Sequence, residues 1–593
     1  VITAADIKAM GIRTWAEAID TVPGLHIATG AVYGEKILIR GIASFFNPQV
    51  LVMINGVPTT SIVRGDRNAY RNLINLSAIS RIEIIRGPGS ALYGAEAVAG
   101  VINIVTKTGE EIQGSEIGGR AGTFNTNEGW VQHGNKYGDL KLALTGNFAT
   151  TDGHERVIES DSMRATGKSL APGPTKTQGE TTDVVVNADF GKWSIDSQYH
   201  GDDGIGLGQG VADSLDPKSS GGWKRATLNL TYQDPRATAD WGVMSKLSYQ
   251  YLNQTIQSVG IQTLPPGINL GSGVLPNGAV GKPETQERHW YFDLVGIYKG
   301  FDSHIVRLGL GGADHNLFDV QNSNTFTSSF APRSGFTNLT DTNQMFLPKK
   351  RRSNYHVIAQ DEWNLNQQMD LTLGVRFDHF SDFGEVVNPR AAYVWNFHPD
   401  WTTKLLIGKA FRSPSFGELY TANNPAQIGN EFLRPETNLM YEWAMSWDPT
   451  RAVNVGLNFY RWELRNFINF IRDGGATTKT AQNLGDYNGE GLEFEFRYRV
   501  SPFLLFTGNY AYNMSVDQVT GSQMGDFPNQ QAYLSQWNFM TNWDLNAQVR
   551  WIGARMRSPT DSRAALNGYT TVDLITRGKR IYRDWELAVS VRN

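Results

Sequence analysis

Ten histidines and no cysteine narrow the chemistry open to this chain of 593 residues. Without cysteine there is neither a disulfide framework nor a thiolate metal site. The histidines are scattered, and neither H-E-x-x-H nor G-x-S-x-G occurs, so zinc-protease and serine-hydrolase arrangements are missing. Glu493 and Glu495 form a pair of carboxylates, but on a strand they share a face with Arg497 and Arg499, opposite Leu492, Phe494, Phe496 and Tyr498. Alternating charge on one face must meet water or partners, which suits a wetted wall better than an acid–base pair. The Gly-rich stretch 86–100 lies between apolar runs at 82–85 and 101–105. It matches neither G-x-x-x-x-G-K-[ST] nor G-x-G-x-x-G, so it is not a phosphate cradle. It reads as a tight, turn-rich link between two short strands. The expectation is a protein that is not an enzyme.

The elements around these residues fall into two styles. In residues 1–111, Thr3 with Asp6 and Thr14 with Glu17 resemble capping boxes and predict two short helices, the second ending before Pro23-Gly24. Strands are expected at 36–40 and 50–54, with a turn at Asn55-Gly56 and longer loops at 42–49 and 59–72. From residue 112 to 593 the pattern becomes period 2: Leu140, Leu142, Leu144 and Phe148 share one face, Lys141, Thr145 and Asn147 the other. Aromatics stand at strand ends (Trp130, Trp193, Trp223, Trp241, Trp401, Trp543, Trp551, Tyr569), as a membrane-interface girdle requires. Very short turns alternate with long polar connections such as 201–222, 257–286 and 321–350. Val453, Val455, Leu457 and Phe459 share a face that Tyr460, Trp462 and Leu464 leave, which predicts a β-bulge near Phe459. No apolar run approaches the roughly 18 residues of a membrane helix. A membrane β-barrel is favoured over a soluble sandwich or propeller, which stays open on pattern alone. The near balance of 54 Lys+Arg against 58 Asp+Glu argues against nucleic acid as a partner. The chain opens on VITAADIKAMG without a signal peptide, so a processed product is expected. About 21 strands are countable; single-chain bacterial barrels have even numbers, so a further strand beyond Asn593 is expected.

With these pieces in place the chain resembles the TonB-dependent outer-membrane transporters, of siderophore-receptor type, over nearly its whole length. The resemblance rests on PGL at 23–25, ILIRGI at 37–42, VLVMINGVP at 50–58 and IEIIRGPGSALYGAEAVAGVINIVTKTG at 82–109. In the barrel it rests on AFRSPSFGELY at 410–420, LRPET at 433–437, YNGEGLEFEF at 487–496 and VRN at 591–593. It implies a 22-stranded antiparallel transmembrane β-barrel filled by an N-terminal α+β plug, in the bacterial outer membrane. The plug would be residues 1–111 and the barrel 112–593. Two departures stand out: no energy-coupling box is readable before Val1, and the final strand with its terminal aromatic is missing.

The resemblance also implies partners and sites. TonB and its inner-membrane proton-motive complex would drive import, with outer-membrane lipid and lipopolysaccharide around a monomer. Plug arginines Arg40 and Arg86 would pair with barrel glutamates Glu442 and Glu493. Phe45, Phe46, Arg64, Arg67 and Tyr70 on the plug's apical loops, with Tyr420 and Arg434 on a barrel loop, would offer aromatic faces and cations to an anionic iron chelate. No covalent cofactor and no resident metal are expected. A ferric siderophore is the expected ligand and haem the alternative, although no histidine lies between Phe411 and Pro435. His154, His200 and His315 lie towards the extracellular side. A free copper or zinc ion, and a bacteriocin or phage receptor role, rank below both.

Overall fold

The computed structural model describes residues 1–593 apart from 30–33, 43, 45, 47, 67–72, 258, 270–272, 328, 330, 425–426, 475–477, 526 and 558–562. The two predicted helices form at Ala4–Ala9 and Trp15–Ile19. Thr3 and Asp6 close a reciprocal capping box, and Thr14 accepts from the Glu17 amide. Five strands in the order Ile2–Thr3, Ile79–Arg86, Gly100–Thr106, Val50–Ile54, Val57–Pro58 make the plug's sheet, and Leu25–Thr29 pairs separately with Glu35–Ile39. The Gly-rich link contains one helical turn, Ser90–Tyr93. Its compactness has a local cause: a Cβ on Gly100 would sit 2.6 Å from the Ile85 carbonyl oxygen.

Around the plug, wall strands run antiparallel from Gly114–Gly122 to Trp585–Val591, and the sheet order closes on itself. Among the described residues that order holds 23 strands. Two of them, Ile261–Leu264 and Pro332–Asn338, are short spurs beside longer neighbours, which leaves 21 wall strands. An odd number of alternating strands brings the first and last to the seam pointing the same way, and all of Trp585–Val591 is exposed. Period 2 sorts the side chains: Leu144, Phe148, Val184, Leu228 and Leu310 face outward and exposed, while Thr145, Asn147, Asp183 and Asn229 are buried inward. Aromatic pairs at the short-turn end, such as Trp193–Tyr232 and Trp401–Trp447, mark one edge of the outer apolar band.

Three local expectations are corrected. Trp223 is 1% exposed, in an inward cluster with Leu207, Leu252 and Ile256, and does not belong to a girdle. The long connections are largely strand: Trp193–Gln209 and Leu215–Asp234 run well past the apolar band and turn only at 210–214. Beyond the lipid the outward face is no longer apolar, and the few buried apolar residues such as Ile205 and Leu207 sit among Gly and Asp, so these extensions carry little alternation to read. There is no bulge near Phe459, because Val453–Arg465 pairs with both neighbours in unbroken register through that point. The apolar phase changes because the solvent changes: Phe459 faces outward, whereas Tyr460, Trp462 and Leu464 are buried against the plug core.

The outer face therefore behaves as a lipid-exposed surface. Leu228→Arg, placed at a residue 51% exposed on that face, is expected to cost about 2–4 kcal/mol. Urea titration of the barrel in lipid vesicles reads this, and an unchanged midpoint contradicts the lipid-facing assignment.

Candidate functional site

Plug and wall meet at a buried charge cluster. Arg40 follows the strand Glu35–Ile39 in a left-handed conformation (φ 52°) and is 1% exposed. Its guanidinium donates from Nε and Nη2 to the two oxygens of Glu493, both at 3.0 Å, and from Nη1 to Glu442. The Tyr460 ring lies 4.3 Å from its Cζ, and Trp462 Nε1 donates to its carbonyl at 3.0 Å. Arg86 reaches the same carboxylate at 3.0 Å, and Glu495 at 3.4 Å. Burial by itself lowers the basicity of Arg40, but Glu493 and Glu442 outweigh it and raise its pKa above the ordinary value. Gly24 (φ 76°) completes the site, since a Cβ there would overlap the Glu493 carboxylate. A fork-shaped cation between two carboxylates satisfies charges that would be costly alone in this interior.

Elsewhere the seal mixes further ion pairs, Arg550 with Asp20, Arg592 with Glu17 at 3.1 Å and Lys8 with Glu116 at 3.6 Å, with neutral bonds. Wall amides donate to plug carbonyls: Gln548 to Met10, Gln531 to Leu25, Gln250 to Pro58, Asn438 to Val98 and Asn187 to Lys107, at 2.7–2.9 Å. Arg225 donates likewise to Leu73 at 2.7 Å.

On the opposite side of the plug from the short turns, a cavity of about 180 Å³ lies between plug, wall and loops. Phe46 and Arg64 line it from the plug, Gln254 and Thr285 from the wall, and Phe346 and Phe470 from the loops. Arg64 is paired with Asp66 at 2.9 Å. Phe45, Arg67 and Tyr70 fall outside the described residues. Tyr420 lies beside the cavity lining, against Phe416 and under Lys350 Nζ at 4.4 Å. Arg434 is exposed, held by its backbone to Asn483. The histidines have other employment: His200 sits between Asp183 and Asp202, His315 contacts His289 at 3.0 Å, and His154 is exposed. Among the described residues no group of three or more His, Asp or Glu side chains is arranged to hold a metal ion, and His200 with its two aspartates is an ion-paired cluster.

Some functional-looking residues escaped sequence reasoning. Arg412, Glu418 and Glu436 form a second buried ionic cluster, and Glu287 anchors the plug backbone at Ile62. Ser415-x-x-Glu418 is a capping box that was legible; nothing along the chain announces the other pairings. Glu96, recessed between the plug and the base of the 413–435 loop, accepts from Ser413 Oγ at 2.7 Å, and burial holds its carboxyl above the usual range.

Family models match both parts of the chain: "TonB-dependent Receptor Plug Domain" over residues 1–101 and "TonB dependent receptor-like, beta-barrel" over residues 171–593. The chain is 23% identical over 556 residues to an iron-regulated outer membrane virulence protein of Vibrio cholerae, covering 88% of this chain and 76% of that one. It is 24% identical over 577 residues to the vitamin B12 transporter BtuB of the same species, covering 93% and 79%. The siderophore receptor PirA from Acinetobacter baumannii superposes with a TM-score of 0.74 at 16% identity, covering 100% of this chain and 93% of that one.

Two outcomes follow from the charges. Glu493→Ala leaves Arg40 and Arg86 short of their shared carboxylate and is expected to destabilise the seated plug by about 3–5 kcal/mol. The denaturant midpoint for plug release reads this, and a shift under 1 kcal/mol contradicts a seal built on this pair. For Glu96, a folded-state pKa above the ordinary 4.5 means that the folded state holds its proton more tightly. Its contribution to stability is therefore present at low pH and is lost as pH rises from 4.5 through the raised value. Glu96→Gln should remove that part of the slope between pH 4 and 7 and raise stability at pH 7; parallel wild-type and variant curves contradict it.

Proposed function

Because the chain belongs to the TonB-dependent receptors of the bacterial outer membrane, we propose that it imports a ferric siderophore through a plugged barrel. The observation that carries this reading is the apical cavity, which joins plug, wall and loop residues around Phe46, Arg64, Phe346 and Phe470. Aromatic faces and a guanidinium suit an anionic, ring-bearing chelate. Haem fits less well, since no histidine lines the cavity among the described residues. Free-metal import lacks a ligand cluster among those residues.

The steps follow from the contacts. A chelate enters from the loop side and must enlarge the chamber, because 180 Å³ is below the roughly 300–1,000 Å³ of small-molecule sites. TonB, engaging from the opposite face, pulls on the plug. Release then requires parting Arg40 and Arg86 from Glu493 and Glu442, Asp20 and Glu17 from Arg550 and Arg592, and the plug core from Tyr460, Trp462 and Leu464, while the neutral amide bonds are exchanged for water. Arg40, Arg86, Glu442 and Glu493 are the tether in this reading. Phe46 and Arg64 contact ligand, and Tyr420 and Arg434 serve the loop above.

Affinity of the purified protein for ferric hydroxamate and catecholate siderophores, haem, cobalamin and copper or zinc tests the proposal, with radio-iron uptake in cells with and without TonB. One ferric siderophore is expected to bind with a Kd of about 1 μM or tighter, and its uptake to vanish without TonB. Tight binding confined to haem, cobalamin or a bare metal ion would overturn the siderophore reading.

A further inference from the structure

The barrel motifs at 410–420 and 433–437 carry charges that the plug tether does not use. Arg412 is 1% exposed. It donates from Nη1 and Nη2 to the two oxygens of Glu418, at 2.8 and 3.0 Å, and from Nη2 to Glu436 Oε1 at 2.7 Å. Glu418 belongs to the short helix Phe416–Tyr420 and also accepts from the Ser415 amide and hydroxyl at its start. Glu436, fully buried, accepts in addition from the Ile468 amide at 2.9 Å and from Nε2 of the plug's Gln49 at 3.1 Å. Gln49 is itself fixed. Its side-chain oxygen accepts from Ser44 Oγ and its carbonyl from the Ala99 amide, both at 2.8 Å.

The same short helix touches the plug a second time. The amides of Phe416 and Gly417 donate to the carbonyls of Ile62 and Val63 at 2.8 and 2.7 Å. That plug loop is anchored to the wall in turn, because Glu287 accepts from the Ile62 amide at 2.8 Å and from Ser61 Oγ. Ser415, Gly417 and Thr421 line the apical cavity together with Arg64 and Thr285. The helix is therefore a cover with two polar supports, the Arg412 cluster and the plug, beside the apolar packing of Phe416 and Leu419 against wall and loop residues.

We infer that Arg412, Glu418 and Glu436 are positioning residues for ligand capture: they hold the helix Phe416–Tyr420 shut over the apical cavity and, through Gln49, make that closure depend on a seated plug. A carboxylate as buried as Glu436 keeps its geometry only while its donors remain. When the plug moves, Gln49 leaves and the Ile62 and Val63 carbonyls leave with it. Both polar supports weaken together, which leaves the cover on the apolar packing of Phe416 and Leu419 and lets it open more often. The inference rests on reading that cavity as the entry chamber for the imported ligand.

The lack of cysteine makes a direct test possible. Thr285→Cys, on the cavity wall and 5% exposed, reports opening through its rate of labelling by a small charged methanethiosulfonate reagent. Ser535→Cys, fully buried and remote from the cover, reports general loosening. Gln49→Ala and Glu436→Gln are each expected to accelerate labelling at position 285 about 10- to 100-fold, the worth of one hydrogen bond to a buried charge. Labelling at 535 should not change. The double variant should be no faster than the faster single one, because both break one link. Unchanged labelling at 285 in both single variants, equal acceleration at 535, or factors that multiply in the double variant each overturn the inference. Should Glu436→Gln fail to fold, Gln49→Ala decides alone through the 285 and 535 rates. The assay needs neither ligand nor TonB, so it stands or falls apart from the siderophore reading.

Discussion

A cation and two carboxylates buried between two halves of one chain constrain everything else in this molecule. Arg40 is withdrawn from water by a plug that must fill a barrel, and it survives there because Glu493 and Glu442 meet it in the correct geometry. Desolvating such groups singly costs several kcal/mol each, so the plug has one low-energy seat and many poor ones. The left-handed backbone at Arg40, the missing Cβ at Gly24 and the Trp462 indole that ties the Arg40 carbonyl all serve to deliver that guanidinium to one place. Affinity and register come from the same contact.

The barrel is built for three solvents, and each sets the side chains that face it. Lipid takes the outward Leu, Val and aromatic residues, lumen water takes the inward Asn, Gln and Thr, and the plug core takes Tyr460, Trp462 and Leu464. A reading of the sequence that allows only two solvents handles the first two well. It places the strands, the direction of alternation, the change of style near residue 112 and the capped helices at Thr3 and Thr14. It misreads Val453–Arg465, where an inward apolar run signals a protein neighbour and not a bulge, and it puts Trp223 in a girdle for the same reason. Strand extensions beyond the lipid are hard to see because their outward face is not apolar and their inward apolar residues, such as Ile205 and Leu207, are too few to set a period.

Charged contacts were legible only through resemblance. Arg40 and Glu493 are 453 residues apart, and no spacing rule joins them. Arg412 and Glu436, 24 apart, stood in two quoted motifs, yet their partnership depends on a register that only the folded sheet supplies. Of the apical residues named from the chain, Phe46 and Arg64 line the cavity, while Tyr420 packs beside it and Arg434 is exposed on a loop, tied to Asn483. A loop's backbone path decides which of its aromatic residues reach inward, and composition carries no record of that path.

The ring of wall amides that donate to plug carbonyls has a mechanical meaning. Each of those bonds is neutral, short-ranged and replaceable by a water molecule at nearly equal enthalpy. A plug held chiefly by interlocked apolar side chains would have to break free all at once. Where the amides meet the plug it can slide, with water following it into the gap and trading contacts one at a time, so that part of the interface works as a wet bearing beside the apolar contacts of Tyr460, Trp462 and Leu464. The force needed to move the plug is then set by the charged and apolar contacts, while the work of the amide bonds is spread along the stroke.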